Sequence, residues 1–328
     1  MSDITSIFIP LYQIPGWILV AIGFYTAFRI NNFPDLTVDA SFVAGAVGAA
    51  FGAVHLNSSL LGLIVAIFLS GLAGASTAII YLSNPRPVYK LLSGVLVIFI
   101  YYSVVYRMMG AKLLKSFSKQ DTFFNILINW ESVNTSNDHR PVVALIGLFA
   151  IVLVIIFLKN FYKTNYGLKI RAVATRPNLI ANKPMELAFI ILPGLVISNI
   201  IVGIGGWYHA SCTSVSQIIV FGFLIHGLAA SLLGEMLLEF LPFFKGRKHS
   251  MTTLLAIPVI GSIVYFIVRS FVTSVLLSTL SNSKGTEFSI NLRDTDTIVA
   301  GAIVLLLLLS NFIRKGIGSE LVEDESQM

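Results

Sequence analysis

Nine stretches of the chain are apolar almost without interruption: residues 8–28, 38–54, 60–82, 91–109, 142–158, 187–207, 216–238, 254–280 and 298–313. Most approach the roughly 20 residues that a helix needs to cross the hydrocarbon of a bilayer. A helix satisfies its own backbone in lipid, whereas a barrel would show shorter, alternating strands. The pattern therefore predicts an all-α fold, a polytopic transmembrane helical bundle. Composition agrees with this: 56% of the 328 residues are apolar, 12% are charged and the mean hydropathy is +0.85. So few charges would not cover a globule in water.

Two runs depart from plain lipid-facing helices. The second carries Gly45, Gly48 and Gly52 at three- and four-residue spacing, a small-residue face that lets another backbone approach closely. The seventh is interrupted by Gly222, His226, Gly227 and Gly234, so two half helices are as consistent with it as one span. Broken helices of this kind are tolerated where they face protein or a water-filled cavity.

Charge fixes the expected sidedness. The net charge of +6 comes from basic residues scattered in short connections rather than from a patch suited to nucleic acid. Lys159, Lys163, Lys169, Arg171, Arg176 and Lys183 crowd one acid-free connection, which places it in the cytoplasm by the positive-inside rule. Arg29, Arg86 with Lys90, Lys245 to Lys248, and Arg314 with Lys315 fall on the same side. The N-terminus is then expected outside and the C-terminus in the cytoplasm. Residues 1–318 read as one transmembrane domain and 319–328 as an acidic, disordered tail. A cleavable leader is not expected, and the single cysteine, Cys212, excludes a disulfide within the chain.

Several polar residues could carry chemistry. Asp35 and Asp39 flank the start of the second helix, where acids cap a helix or favour its dipole; a part in solute passage is the other reading. No further acid lies nearby to complete a metal shell, so neither a metal nor a cofactor is expected. Glu235 lies near the end of the seventh run, where an acid must face the bundle or reach the interface. His226, Asn199, and Tyr265 with Arg269 read as groups that bond helix to helix, and His55 and His209 as residues solvated at span ends. Residues 169–175 are expected to form a short basic helix ending before Pro177, fitted either to anionic lipid or to a cytoplasmic partner. No phosphate loop or nucleophile elbow is present, so no ATP hydrolysis or other enzyme activity is expected of this chain.

These residues also carry a family resemblance. The segment Phe33-Pro-Asp-Leu-Thr-Val-Asp-Ala-Ser-Phe42 and the Arg107-Met-Met-Gly110 that closes the fourth span resemble the permease subunits of bacterial ABC importers of the branched-chain amino acid, ribose and tryptophan type. Gly167-Leu-Lys-Ile-Arg-Ala172 is similar to the start of that family's cytoplasmic coupling loop. Ser198-Asn199, Leu233-Gly-Glu235, Gly261-Ser-Ile-Val-Tyr265 and Asp294-Thr-Asp296 follow in the expected order. The resemblance spans about residues 20–312.

It implies an inner-membrane permease domain over residues 1–318, with a coupling loop at about 160–184. The partners it implies are a second permease subunit, identical or different, cytoplasmic ATP-binding subunits, and an extracytoplasmic solute-binding protein that delivers a small organic solute such as an amino acid. Lys169, Arg171, Ala172, Thr175, Arg176 and Asn178 would then engage the ATPase. Asp35, Asp39, Ser41, Asn199, His226, Glu235 and Tyr265 would line the pathway. Without the resemblance, a transporter driven by an ion gradient or a scaffold that moves nothing would fit the same spans.

Overall fold

The computed structural model describes residues 11–117, 140–176, 184–213, 215–217, 223–240, 251–282 and 301. Nine α-helices are described: α1 (Ile14–Tyr25), α2 (Val38–His55), α3 (Ser59–Ser83), α4 (Pro87–Met108), α5 (Arg140–Phe161), α6 (Asn165–Thr175), α7 (Pro184–Thr213), α8 (Phe223–Phe240) and α9 (Met251–Asn282). A π-turn over Thr26–Ile30 prolongs α1. Six of the helices are long and apolar enough to cross a membrane by length and composition, and the apolar segments Ile14–Ile30 and Ile225–Leu238 are shorter. The all-α bundle expected from the apolar runs is thus observed. The ninth run, the basic segment at 245–248 and the acidic tail lie outside the described residues, apart from Gly301.

The seventh run needs correcting. It does not begin as a helix: Val215–Gln217 is a strand, β2, paired antiparallel with β1 (Leu114–Ser116), and the helix covers Phe223–Phe240. Apolar composition alone does not choose between strand and helix over a few residues.

Local signals explain several helix starts. Ser58 caps α3, its Oγ accepting from the Leu61 amide at 3.4 Å, and Pro87 opens α4 at a position that needs no donor. Thr164 does the same for α6, its Oγ1 accepting from the Gly167 amide at 3.2 Å. That cap explains why α6 starts at Asn165, four residues ahead of the expected Lys169. Thr164→Ala should destabilise α6 by about 1 kcal/mol, read as faster hydrogen exchange at the amides of Gly167 to Val173.

The centre of the molecule is a three-helix stack of α2, α3 and α7, with α1 laid along α7, α4 against α2 and α3, and α8 paired with α9. Small residues make this stack possible. A Cβ on Gly48 would lie 2.7 Å from the Ala66 amide nitrogen, and one on Gly74 2.6 Å from the Leu195 carbonyl oxygen. Fourteen of the 18 residues of α2 are buried, whereas α5 turns Leu145, Phe149, Leu153 and Phe157 outward, as a lipid-facing helix does.

Candidate functional site

Two clusters of polar and aromatic side chains adjoin along the stack, meeting on α2 at the neighbouring residues Ser41 and Phe42. The first surrounds the connection between α1 and α2. Asp35 is buried there, and its Oδ1 accepts from the Thr37 amide at 2.8 Å, so the acid caps the chain just ahead of α2 as its position suggests. Its Oδ2 accepts from Asn199 Nδ2 on α7 at 2.6 Å, and Asn199 Oδ1 accepts from Ser41 Oγ on α2, also at 2.6 Å. Thr37 and Thr77 bring their hydroxyls within 2.5 Å, which adds α3 to the network. Burial pushes the Asp35 carboxyl above the usual carboxylate range, against the opposing pull of its Thr37 and Asn199 hydrogen bonds. Asp39 is half-buried one turn further on, in the first turn of α2.

Glu235 sits nearby on α8. Its Oε1 lies 2.9 Å from Arg29 Nε and accepts from the Tyr25 hydroxyl at 3.3 Å. Because the Arg29 side chain is 60% exposed, this pair holds α8 to the π-turn only weakly.

The expected coupling residues sit on or beside α6. Gly167, Ile170 and Val173 bury one face of it, while Lys169, Ala172, Thr175 and Arg176 are exposed and Arg171 is half-buried. Asn178 lies outside the described residues. The helix is held from below by Tyr162, whose hydroxyl donates to Asn31 Oδ1 at 2.7 Å.

The second cluster lies near the far end of α7. From Asn199 to His209 the helix runs ten residues, about 15 Å at 1.5 Å per residue. There the Trp17 ring stacks on His226 at 4.7 Å between centroids, meets His209 edge-on at 5.1 Å, and lies 5.9 Å from Phe42 and 5.8 Å from Phe266. Tyr265 stands edge-on to His226 at 5.0 Å, and Arg269 Nη1 is 3.2 Å from His226 Nε2. Five helices, α1, α2, α7, α8 and α9, each contribute a ring.

The predicted pathway residues divide between the two adjoining clusters. Asp35, Ser41 and Asn199 come together, with Glu235 nearby on α8, while His226 and Tyr265 belong to the ring cluster. His209, read as solvated, instead packs on Trp17 and Phe42. Trp17 and Phe42 carry no distinguishing sequence signal, because aromatic residues are common along membrane helices. Thr77 and the Asn31-Asn32 pair were also not singled out; two consecutive asparagines between helices are a signal for a left-handed turn, and Asn32 has φ +50°. No group of three or more His, Cys, Asp or Glu side chains fit to hold a metal occurs among the described residues.

Comparison with known proteins decides the family. Residues 6–308 match the family described as "Branched-chain amino acid transport system / permease component". The chain belongs to that permease family. As its member, the permease is a multi-pass inner-membrane protein and the membrane component of a transport system, as the resemblance of its motifs implied. It is 28% identical over 263 residues to the tyrosine transport system permease protein of Clostridioides difficile (strain R20291), covering 80% of the permease and 81% of that relative. It is 30% identical over 254 residues to an uncharacterized protein of Rickettsia prowazekii (strain Madrid E), covering 75% and 81%. No solved structure matches it.

Proposed function

We propose that the permease forms the translocation path of an ABC importer for an amino acid with an aromatic side chain, tyrosine being the first to test. The reading joins the family match and the name of the clostridial relative to one observation: the convergence of Trp17, Phe42, His209, His226, Tyr265 and Arg269 between five helices. Ring faces and edges suit an aromatic side chain, and a guanidinium suits the carboxylate of an amino acid. This cluster is the outer constriction of the path. His226 and Tyr265 line it, and Asp35, Asp39, Ser41, Asn199 and Glu235 continue the path from it toward α6.

In this arrangement α6 faces the cytoplasm and the aromatic cluster the outside, so the N-terminus is external and the C-terminus cytoplasmic. Supporting this sidedness, Arg29, Lys90 and the basic helix α6 gather at one end of the bundle, as the positive-inside rule requires. Residues 1–318 act as the transmembrane domain, coupled through 160–184, and 319–328 as a tail. Two permease subunits form the transporter. An external solute-binding protein delivers solute at the aromatic end, and ATP-binding subunits supply the hydrolysis at α6, where Lys169, Arg171, Ala172, Thr175, Arg176 and Asn178 engage them.

Accessibility of position 17 tests the path. In a Cys212→Ser background, Trp17→Cys should react with a membrane-impermeant thiol reagent, the reaction should block uptake, and tyrosine should protect against it. Labelling that leaves uptake intact would remove the cluster from the path.

A further inference from the structure

The connection between α1 and α2 touches more elements than its seven residues would suggest. Asn32 Nδ2 donates to the carbonyl of Ala174 in the last turn of α6 at 2.8 Å, and the Asn32 carbonyl accepts from Lys90 Nζ of α4 at 3.1 Å. Asn31 Oδ1 accepts from Tyr162, and the Asn31 amide group lies against α7, where a Cβ on Gly194 would come within 3.0 Å of its Nδ2. Phe33 is buried among Ala78, Tyr81 and Leu195, and Asp35 and Thr37 bond α7 and α3. One short segment thus joins the basic helix to all three helices of the central stack.

The two ends of this segment differ in strength. The Asp35–Asn199–Ser41 bonds are buried and carry a carboxylate, whereas the Asn32–Ala174 bond is exposed. Two further features fit a segment with two arrangements. It follows a π-turn, a form that recurs at functional sites, and Asn31 Nδ2 is buried with no hydrogen-bond acceptor among the described residues. That orphan donor gains from any shift that supplies an acceptor.

We infer that residues 31–37 are the lever that carries motion of α6 into α2, α3 and α7, and that Asn32 is the positioning residue which holds the lever to α6. The inference rests on the proposal that α6 receives the ATP-binding subunit. When that subunit displaces α6, the Ala174 carbonyl draws on Asn32, and the Asp35 network turns the displacement into movement of α2 against α7.

The test uses the complete importer in proteoliposomes, measuring ATPase retention, ATP hydrolysis and tyrosine uptake together. Asn32→Gly keeps the left-handed backbone and removes the amide. It should leave ATPase retention and hydrolysis unchanged while uptake per ATP falls about fivefold, the equivalent of one hydrogen bond of about 1 kcal/mol. Asn32→Asp, which cannot donate, should do the same. A rescue guards against misfolding: with Cys212 replaced by serine, cysteines at 32 and 174 joined by a short thiol cross-linker should restore coupling, and cleaving the linker should abolish it. Unchanged uptake per ATP in Asn32→Gly, loss of ATPase retention in that variant, or failure of the cross-link to restore coupling would overturn the inference. Failure of the docking proposal is seen separately, as ATPase retention unaffected by Lys169→Glu with Arg176→Glu.

Discussion

Gly45→Ala will cost the permease more stability than a methyl group placed where only side chains stand in its way, as at Gly71. The added carbon would overlap the Gly203 backbone, with its Cα only 2.9 Å away. Backbone cannot rotate aside as a side chain does, so α2 and α7 must separate along their length. The expected loss is at or above the upper end of the about 1–3 kcal/mol that overpacking costs. Purified in detergent and followed by tryptophan fluorescence on heating, the variant should unfold well below the parent. Gly71→Ala is the matched control: its new methyl would meet the Ile200 side chain at 3.3 Å, which can give, so its unfolding should stay close to that of the parent.

Asp35→Ala should rank second. It leaves the Thr37 amide without an acceptor and removes one of the two acceptors of Asn199 Nδ2, in a site closed to water. Each orphaned buried donor costs about 1–3 kcal/mol. Asn199→Ala breaks the same network from the other side. The two together should cost less than the sum of the separate losses by about 0.5–3 kcal/mol, because residues in one network couple. Additive losses would show that the carboxylate and the amide do not act as a unit.

The residues differ in how openly the sequence announced them. Gly45, Gly48 and Gly52 announced a close approach, because only small residues repeat at that spacing, yet not that α7 would fill one side and α3 the other. Asp35 read as a cap from its place before α2, while its partner Asn199 stands 164 positions away, a distance no local pattern bridges. Glu235 and His226 lie nine positions apart on one apolar run, and only the fold shows that one meets Arg29 and the other Arg269. Trp17 was hidden because, in a chain rich in phenylalanine, ring-bearing residues mark lipid and packing surface far more often than a site. Helix α6 was visible through its basic residues and Pro177; its first turn was missed because the Thr164 cap starts the helix ahead of the first basic residue, Lys169.

The most direct measurement of the central claim is solute accumulation by the assembled importer. Proteoliposomes holding the permease with its ATP-binding subunits, supplied with the solute-binding protein and labelled tyrosine, should accumulate tyrosine only when ATP is hydrolysed. Accumulation should persist when a protonophore collapses the ion gradient. Uptake that needs the gradient and ignores ATP would contradict the account.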